Sequence, residues 1–310
     1  ARLKGDHVDH FEGDRWSFRI VTEKGKILNH KKISVQGVHT RAFLIEWVYH
    51  ILLQEEGLIN LQYEFFPFCV NDSLCGIYAF ESHFDNYLLT RTGRKPGPIM
   101  KFDESDFWDY TNHQGKKNRD ELLMVESPIL IANKKWRKKN EAVCEKAKSQ
   151  LDDFRNGRKD CGEVFDLKLW AKFIAINEVM SGNHALRWHN LRFYFNPETE
   201  KIEPIGFDCG SWMDKATKLF HADSNPEKFH ELMFRNTEYI GLIKEELVRL
   251  SAREYLESFF KNHNTEIRER EMSIKKEKSN YRFWESAFYF SQDRIIKLSK
   301  EQLLLKTETK

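Results

Sequence analysis

The chain has 310 residues, 40% hydrophobic and 14% aromatic with 24 Phe, so it can build a large core and is not a disordered polymer. Charged residues make up 32%, but the signs nearly cancel at +2, which gives no support for a nucleic-acid partner, where a clear basic excess is expected. No apolar run approaches the ~20 residues that span a bilayer, so no membrane span is expected.

No signal peptide is present, and a chain that opens at Ala1 inside an apparent strand reads as a processed or excised piece. The cysteines (Cys69, Cys75, Cys144, Cys161 and Cys209) are odd in number and scattered without a CxxC pair. That pattern argues against a zinc site or disulfide framework and leans toward a reducing compartment. His7 and His10 lie close together near acids and read as ordinary loop histidines.

In chain order, Arg2 to Lys4 and Trp16 to Val21 read as strands joined by a polar loop, Gly5 to Asp14. Thr40 to Glu55 reads as a helix: Thr40 is placed to cap it, apolar residues from Phe43 to Leu52 recur at helical spacing, and Gly57 stops it. Leu61 to Val70 and Gly76 to Phe80 read as strands around the turn Asn71-Asp72-Ser73, ending at Glu81. Arg91 to Pro98 is a basic loop, followed by a short strand, Ile99 to Phe102.

The stretch 104–165 reads as a helical insertion or the start of a second lobe, with the charge run Lys134 to Lys139 a solvated helix face. Asp166 to Met180 reads as an amphipathic helix capped by Asp166. Leu191 to Phe195 and Ile202 to Phe207 form a strand–turn–strand, and the chain is helical from Pro226 onward. A β-rich front followed by a helical back predicts an α+β fold.

The hairpin carries the strongest chemical signal. Asn190 enters its first strand and Asp208 leaves its second, so the two face one small volume. Both offer oxygen to a hard cation such as Mg²⁺. An Asn and an Asp of an Asp-x-Gly turn hold metal in phosphoryl transfer, and Asp208-Cys209-Gly210 has that form; the same pattern also occurs as a plain turn. Trp188 and Phe193-Tyr194-Phe195 read as core.

With RLKGDHVDHFEGDRWSFRI at 2–20, TRAFLIEW at 40–47, GIYAFESHF at 76–84, GPIMKFDE at 97–104 and HALRWHNLRFYFNPETEKIEPIGFD at 184–208, the chain resembles the CotH kinase family of bacterial spore-coat proteins and their relatives. The likeness runs in order from Arg2 to about Trp212. It implies an atypical protein-kinase-like, two-lobed fold that binds ATP with Mg²⁺ or Mn²⁺ and phosphorylates protein Ser/Thr hydroxyls in a spore coat or envelope. A β-rich N-lobe over 1–81 would bind nucleotide. A mostly helical C-lobe over 82–310 would carry the insertion, the hairpin at 182–212 and the helical C-terminal region.

On this resemblance Asn190 and Asp208 hold metal, and Arg19 on a strand pairs with Glu46 on the helix to hold phosphate. Lys4 and Arg15 are further phosphate candidates, Lys101 also reaches toward nucleotide, and Glu81 sits at a hinge near adenine. Without the resemblance, Arg19 and Glu46 read as a surface ion pair and Glu81 as a helix N-terminal acid.

One departure bears on activity. The family's acid–base Asp, five residues before the metal-binding Asn, is Ala185 here. The groups left to accept a hydroxyl proton are His184, His189 and Glu178, with His184 and Glu178 the catalytic candidates. The alternatives are a pseudokinase acting as a coat or envelope binding module, transfer of another group such as AMP from the same nucleotide, and, further off, a carbohydrate-processing enzyme.

Overall fold

The computed structural model describes residues 1–5, 10–11, 13, 15–114, 124–210, 219–222 and 227–308, with the backbone alone at 110–114, 222 and 302–308. His7, much of the polar loop and the far end of the 182–212 segment lie outside the described residues. The fold is α+β, built on two five-stranded sheets.

The first sheet runs β1-β2-β3-β6-β5, antiparallel throughout: β1 Arg2–Leu3, β2 Phe18–Val21, β3 Lys32–Gly37, β5 Tyr63–Val70 and β6 Ser73–Glu81. Its two faces follow from the period of two. Ile33, Val35, Tyr78 and Phe80 form one apolar cluster, with Phe18, Ile20 and Phe66 packed against it. The opposite face carries Ser34, Gln36 and Glu81, all buried although polar. In register across that face stand Arg2 opposite Arg19, Arg19 opposite Ser34, and Ser34 opposite Glu81. A buried polar face needs a partner for each group, and this one looks into the cleft described below.

The second sheet runs β4-β10-β9-β7-β8, with β4 Ile59–Asn60, β7 Ile99–Phe102, β8 Ile129–Ile131, β9 Arg192–Phe195 and β10 Ile202–Gly206. The hairpin β9–β10 pairs Ile202 with Phe195, and β4 joins parallel to β10. The chain therefore reaches the second sheet at 59–60 before returning to the first as β5, so the sheets are interleaved in sequence up to Glu81.

Helix α1, Leu44–Glu55, packs its apolar residues into the main core. Its N-cap is Phe43 and no side chain caps it; Thr40 instead donates to the Gly37 carbonyl within a short 3₁₀ turn, Val38–Arg41. A β-carbon on Gly206 would meet Leu53 Cδ1 at 2.0 Å, so glycine lets α1 lie against the end of β10, two residues before Asp208.

The Leu167–Met180 helix starts at Asp166, whose side chain accepts the Leu169 N–H, and is buried on nearly every face, not only along one stripe. The helices Thr237–Ser251, Arg253–Lys275 and Ser286–Glu308 share its core. Gln292 fastens the last of these by donating to the Leu250 and Ala252 carbonyls at 2.8 Å each. Trp188, Phe193, Tyr194 and Phe195 are core residues. Among the described residues no helix is long and apolar enough to cross a membrane.

Candidate functional site

The polar face of the first sheet and the hairpin end of the second enclose a cleft of about 780 Å³, within the range of small-molecule and cofactor sites. Among the described residues, eight Lys or Arg side chains and three carboxylates line it, an excess of five positive charges with the histidines neutral. The first sheet contributes Arg2, Lys4, Arg19 and Lys32; the turn before α1 contributes Arg41; Lys101, Lys134 and Arg192 face them from the other side. The whole chain carries only +2, so its composition does not reveal the positive excess among the described lining residues.

At the inner end stands a buried ion-pair chain. Lys4 Nζ lies 2.7 Å from Glu81 and donates to Gln36 at 3.0 Å. Arg41 lies 4.0 Å from Glu81 and 2.5 Å from Asp208 Oδ1, joining the two sheets. Burial favours neutral forms, but opposite charges prevail on the carboxylates. Glu81 is pushed up by burial and pulled down further by Lys4 and Arg41, to about 2. Asp208 moves the same way: burial raises it, and Arg41 and His184 outweigh burial and hold it below the usual carboxylate range. For Lys4, burial outweighs Glu81 and the net shift is downward.

His184 sits between the two metal candidates. Its Nδ1 is 3.3 Å from Asp208 Oδ1 and 3.0 Å from Asn190 Nδ2, and Asn190 also donates to the His184 carbonyl at 3.0 Å. Burial lowers the His184 pKa, but the Asp208 hydrogen bond and charge prevail, and the net shift is upward. Asp208 adopts φ +55 and Gly210 φ +49. A β-carbon at Gly210 would fall 2.6 Å from His184 Cβ, so the glycine of Asp-Cys-Gly is what allows the turn to close on His184.

The structure thus brings Asn190, Asp208, His184, Lys4, Arg19, Glu81 and Lys101 to one cleft. Lys101 is paired there with Glu104 at 2.6 Å. Three expectations are corrected. Glu178 is buried behind the site, where it accepts from Phe220 N–H and pairs with Arg294 at 3.1 Å, so it does not project into the cleft. Arg15 leaves the cleft to pair with Glu277. Arg19 and Glu46 are not partners: Glu46 accepts the Cys209 N–H at 3.0 Å and lies 3.4 Å from His50. The buried Lys–Glu pair at the cleft is instead Lys4–Glu81. His189, the remaining proton candidate, is stacked on Phe107 and pushed down to about 3 by burial and His184.

Arg41, Arg192 and Lys32 were missed by sequence reasoning. Arg41 lies one residue past the expected Thr40 cap, and Arg192 is hidden in the apolar run of β9, 5% exposed and hydrogen-bonded to the His189 carbonyl at 2.8 Å. For Lys32 the signal was available, in the alternation of Lys32-Ile33-Ser34-Val35-Gln36.

Asp208 and Asn190 suit a divalent cation that arrives with phosphate oxygens and water, as Mg²⁺ does, since it needs only one or two protein carboxylates. They do not build an all-protein cage: among the described residues no group of three or more His, Cys, Asp or Glu could hold a metal. No protein-family model matches the chain, and no curated protein matches it.

Proposed function

We propose that the cleft binds ATP with Mg²⁺ or Mn²⁺ and that the protein is a kinase-like phosphotransferase acting on protein Ser/Thr hydroxyls. The observation that carries this reading is the buried polar sheet face whose cations converge beside Asp208. Phosphoryl transfer is catalysed mainly by positioning and charge stabilisation, and these are what such a cleft supplies. In this reading Lys4 and Arg41 hold phosphate oxygens, and Arg19 and Lys101 add further contacts along the nucleotide. Asp208 and Asn190 orient the cation, whose chemistry is to neutralise charge developing on the phosphates. The turn that carries Asp208 is fixed from behind by Glu46 through Cys209 N–H. His184, with Nδ1 3.3 Å from Asp208 Oδ1, takes the hydroxyl proton when neutral.

A second reading has its own support. Ala185 is 1% exposed and offers no acid–base group, Glu178 is committed to Arg294, and His184 is biased toward its protonated form. Those features favour a pseudokinase that binds nucleotide without transfer. The deciding experiment uses γ-labelled ATP, Mg²⁺ or Mn²⁺, and a generic acceptor protein, with wild type and Asp208→Ala side by side. Label on acceptor or on the protein itself, lost in the variant, supports transfer. An Asp208-dependent rise in melting temperature on adding ATP, without label, supports the pseudokinase. Label that moves only from α-labelled ATP would indicate nucleotidyl transfer instead.

A further inference from the structure

We propose that the outer end of the cleft is a separate acceptor subsite, made by Arg2, Lys32 and Lys134, that takes the acidic side chains of a peptide flanking the acceptor hydroxyl. The proposal rests on the phosphotransferase reading above for the word acceptor, and on charge and geometry for the subsite.

Apart from Arg19, which is itself partnered, the cations of the cleft divide into two groups. Lys4, Arg41, Lys101 and Arg192 each have a carboxylate partner: Glu81, Asp208, Glu104 and Glu104 respectively. Arg2, Lys32 and Lys134 have no ion-pair or side-chain hydrogen-bond partner among the described residues, yet they line the same cleft. They come from three elements, β1, β3 and the Lys134–Arg137 helix, which approach from both sides of the opening. Like charges gathered without a counter-ion repel, and that repulsion registers at Lys32. Burial, then Arg19, Arg2 and Lys134, lower its pKa to about 8. His83, opposite it, is lowered to about 3 by burial and then by Lys32 and Arg19. An anion seated there would relieve all of these groups.

A nucleoside triphosphate with one divalent ion brings roughly two net negative charges, which Lys4 and Arg41 at the inner end are placed to meet, while Arg2, Lys32 and Lys134 keep no counter-charge among the described residues. An adjoining hollow shares Arg2, Arg19, Lys101, Glu104 and Trp108 and adds Ser105 and Asp109. It widens the opening for an extended chain, and its two carboxylates leave the excess positive charge on the Arg2–Lys32–Lys134 side. Arg2 and Lys134 are solvent-exposed and Lys32 half-buried, so a macromolecular segment can reach them without opening the fold.

The test is fluorescence anisotropy with labelled serine peptides whose flanks are all glutamate, all neutral or all lysine, with and without saturating ATP and Mg²⁺. The glutamate peptide is expected to bind about tenfold more tightly than the neutral one and to weaken about tenfold in Lys32→Ala/Lys134→Ala. The reversal Lys32→Glu/Lys134→Glu is expected to turn the preference to the lysine peptide, provided its melting curve remains cooperative. Equal affinity for the three peptides would overturn the proposal. So would displacement of the glutamate peptide by ATP, which would make the cluster part of the nucleotide site, or tighter binding of a short RNA than of any peptide. A wild-type melting temperature unmoved by ATP would overturn the phosphotransferase reading and with it the acceptor role, while the peptide arms still decide whether the subsite exists.

Discussion

Glu46 accepts the backbone N–H of Cys209 at 3.0 Å, so a carboxylate in the first turn of α1 holds the residue that follows Asp208. Glu46 is 1% exposed, and Asp208 itself sits at φ +55, a left-handed conformation that a non-glycine residue adopts only when its surroundings enforce it. Glu46→Ala would leave a buried N–H without its acceptor, which costs about 1–3 kcal/mol. The expected outcome is a lower melting temperature and loss of any ATP-induced rise in it. Glu46→Gln keeps an acceptor oxygen and is expected to retain most of both. Equal behaviour of the two variants in thermal denaturation would show that the hydrogen bond does not position the turn.

Arg41 bridges Asp208 and Glu81 with only 11% of its side chain exposed. Burial works against its charge, but Asp208, Glu81 and Glu46 outweigh that and raise its pKa. Breaking a buried pair from one side leaves an uncompensated charge, worth about 3–5 kcal/mol. Arg41→Ala is therefore expected to shift the urea midpoint strongly, with Arg41→Lys recovering part of the loss because it restores charge without the planar fork. A midpoint unchanged in Arg41→Ala would mean that the two carboxylates are satisfied from elsewhere.

The elements that could be read from sequence are those with strong local signals: the hairpin Arg192–Phe195/Ile202–Gly206, the Asp166-capped helix, and the paired strands ending at Glu81. Pairing across distance was not legible. Ile59–Asn60 is too short to show periodicity and becomes a strand because β10 offers it a parallel edge. Site residues on motif positions, such as Asn190 and Asp208, reached the cleft, whereas ion-pair partners were misassigned. Glu46 and Glu81 are both buried acids near Arg41, and only the sheet register places Lys4 beside Glu81 and leaves Glu46 facing Cys209. Glu178 looked available because its partner, Arg294, lies 116 residues further on.

Acid should destabilise the fold first through histidines. His230 is fully buried against the Leu186 carbonyl at 2.7 Å, and burial lowers it to about 4. The unfolded chain takes up that proton near the ordinary histidine value of 6.5, so between there and about 4 the unfolded state binds more protons and stability falls as pH falls. His83 and His189, both lowered to about 3, act in the same direction. Glu81 contributes stability above its unfolded pKa and loses it only as pH falls toward about 2, so it acts later. His184, raised by Asp208, contributes below its unfolded pKa and loses that contribution as pH rises through its folded value. Urea midpoints are expected to drop on going from neutral to mildly acidic pH, as the unfolding free energy falls by up to about 1.4 kcal/mol per pH unit for each buried neutral histidine. His230→Gln keeps a donor for Leu186 and is expected to flatten the dependence; an unaltered slope would remove His230 from the explanation.

The C-terminal helices carry no motif, yet the segment that joins two of them grips the first sheet and α1. Glu277 accepts the Ile77 N–H of β6 at 2.8 Å and pairs with Arg15. Tyr281 presents its hydroxyl to Leu44 N at 3.3 Å, at a helix start that has no side-chain cap of its own, and stacks near Phe43 with ring centres 5.0 Å apart. Because α1 carries Glu46, this grip lies on the route to Asp208. Tyr281→Phe removes one capping contact and keeps the ring, so a loss of about 1 kcal/mol is expected. Glu277→Ala leaves the Ile77 N–H unpaired and frees Arg15, and is expected to destabilise more. Hydrogen exchange should localise the effect, with faster exchange at the start of α1 in Tyr281→Phe and along β6 in Glu277→Ala. Faster exchange confined to residues 276–308 in both variants would mean that the C-terminal segment rests on the sheet without holding it.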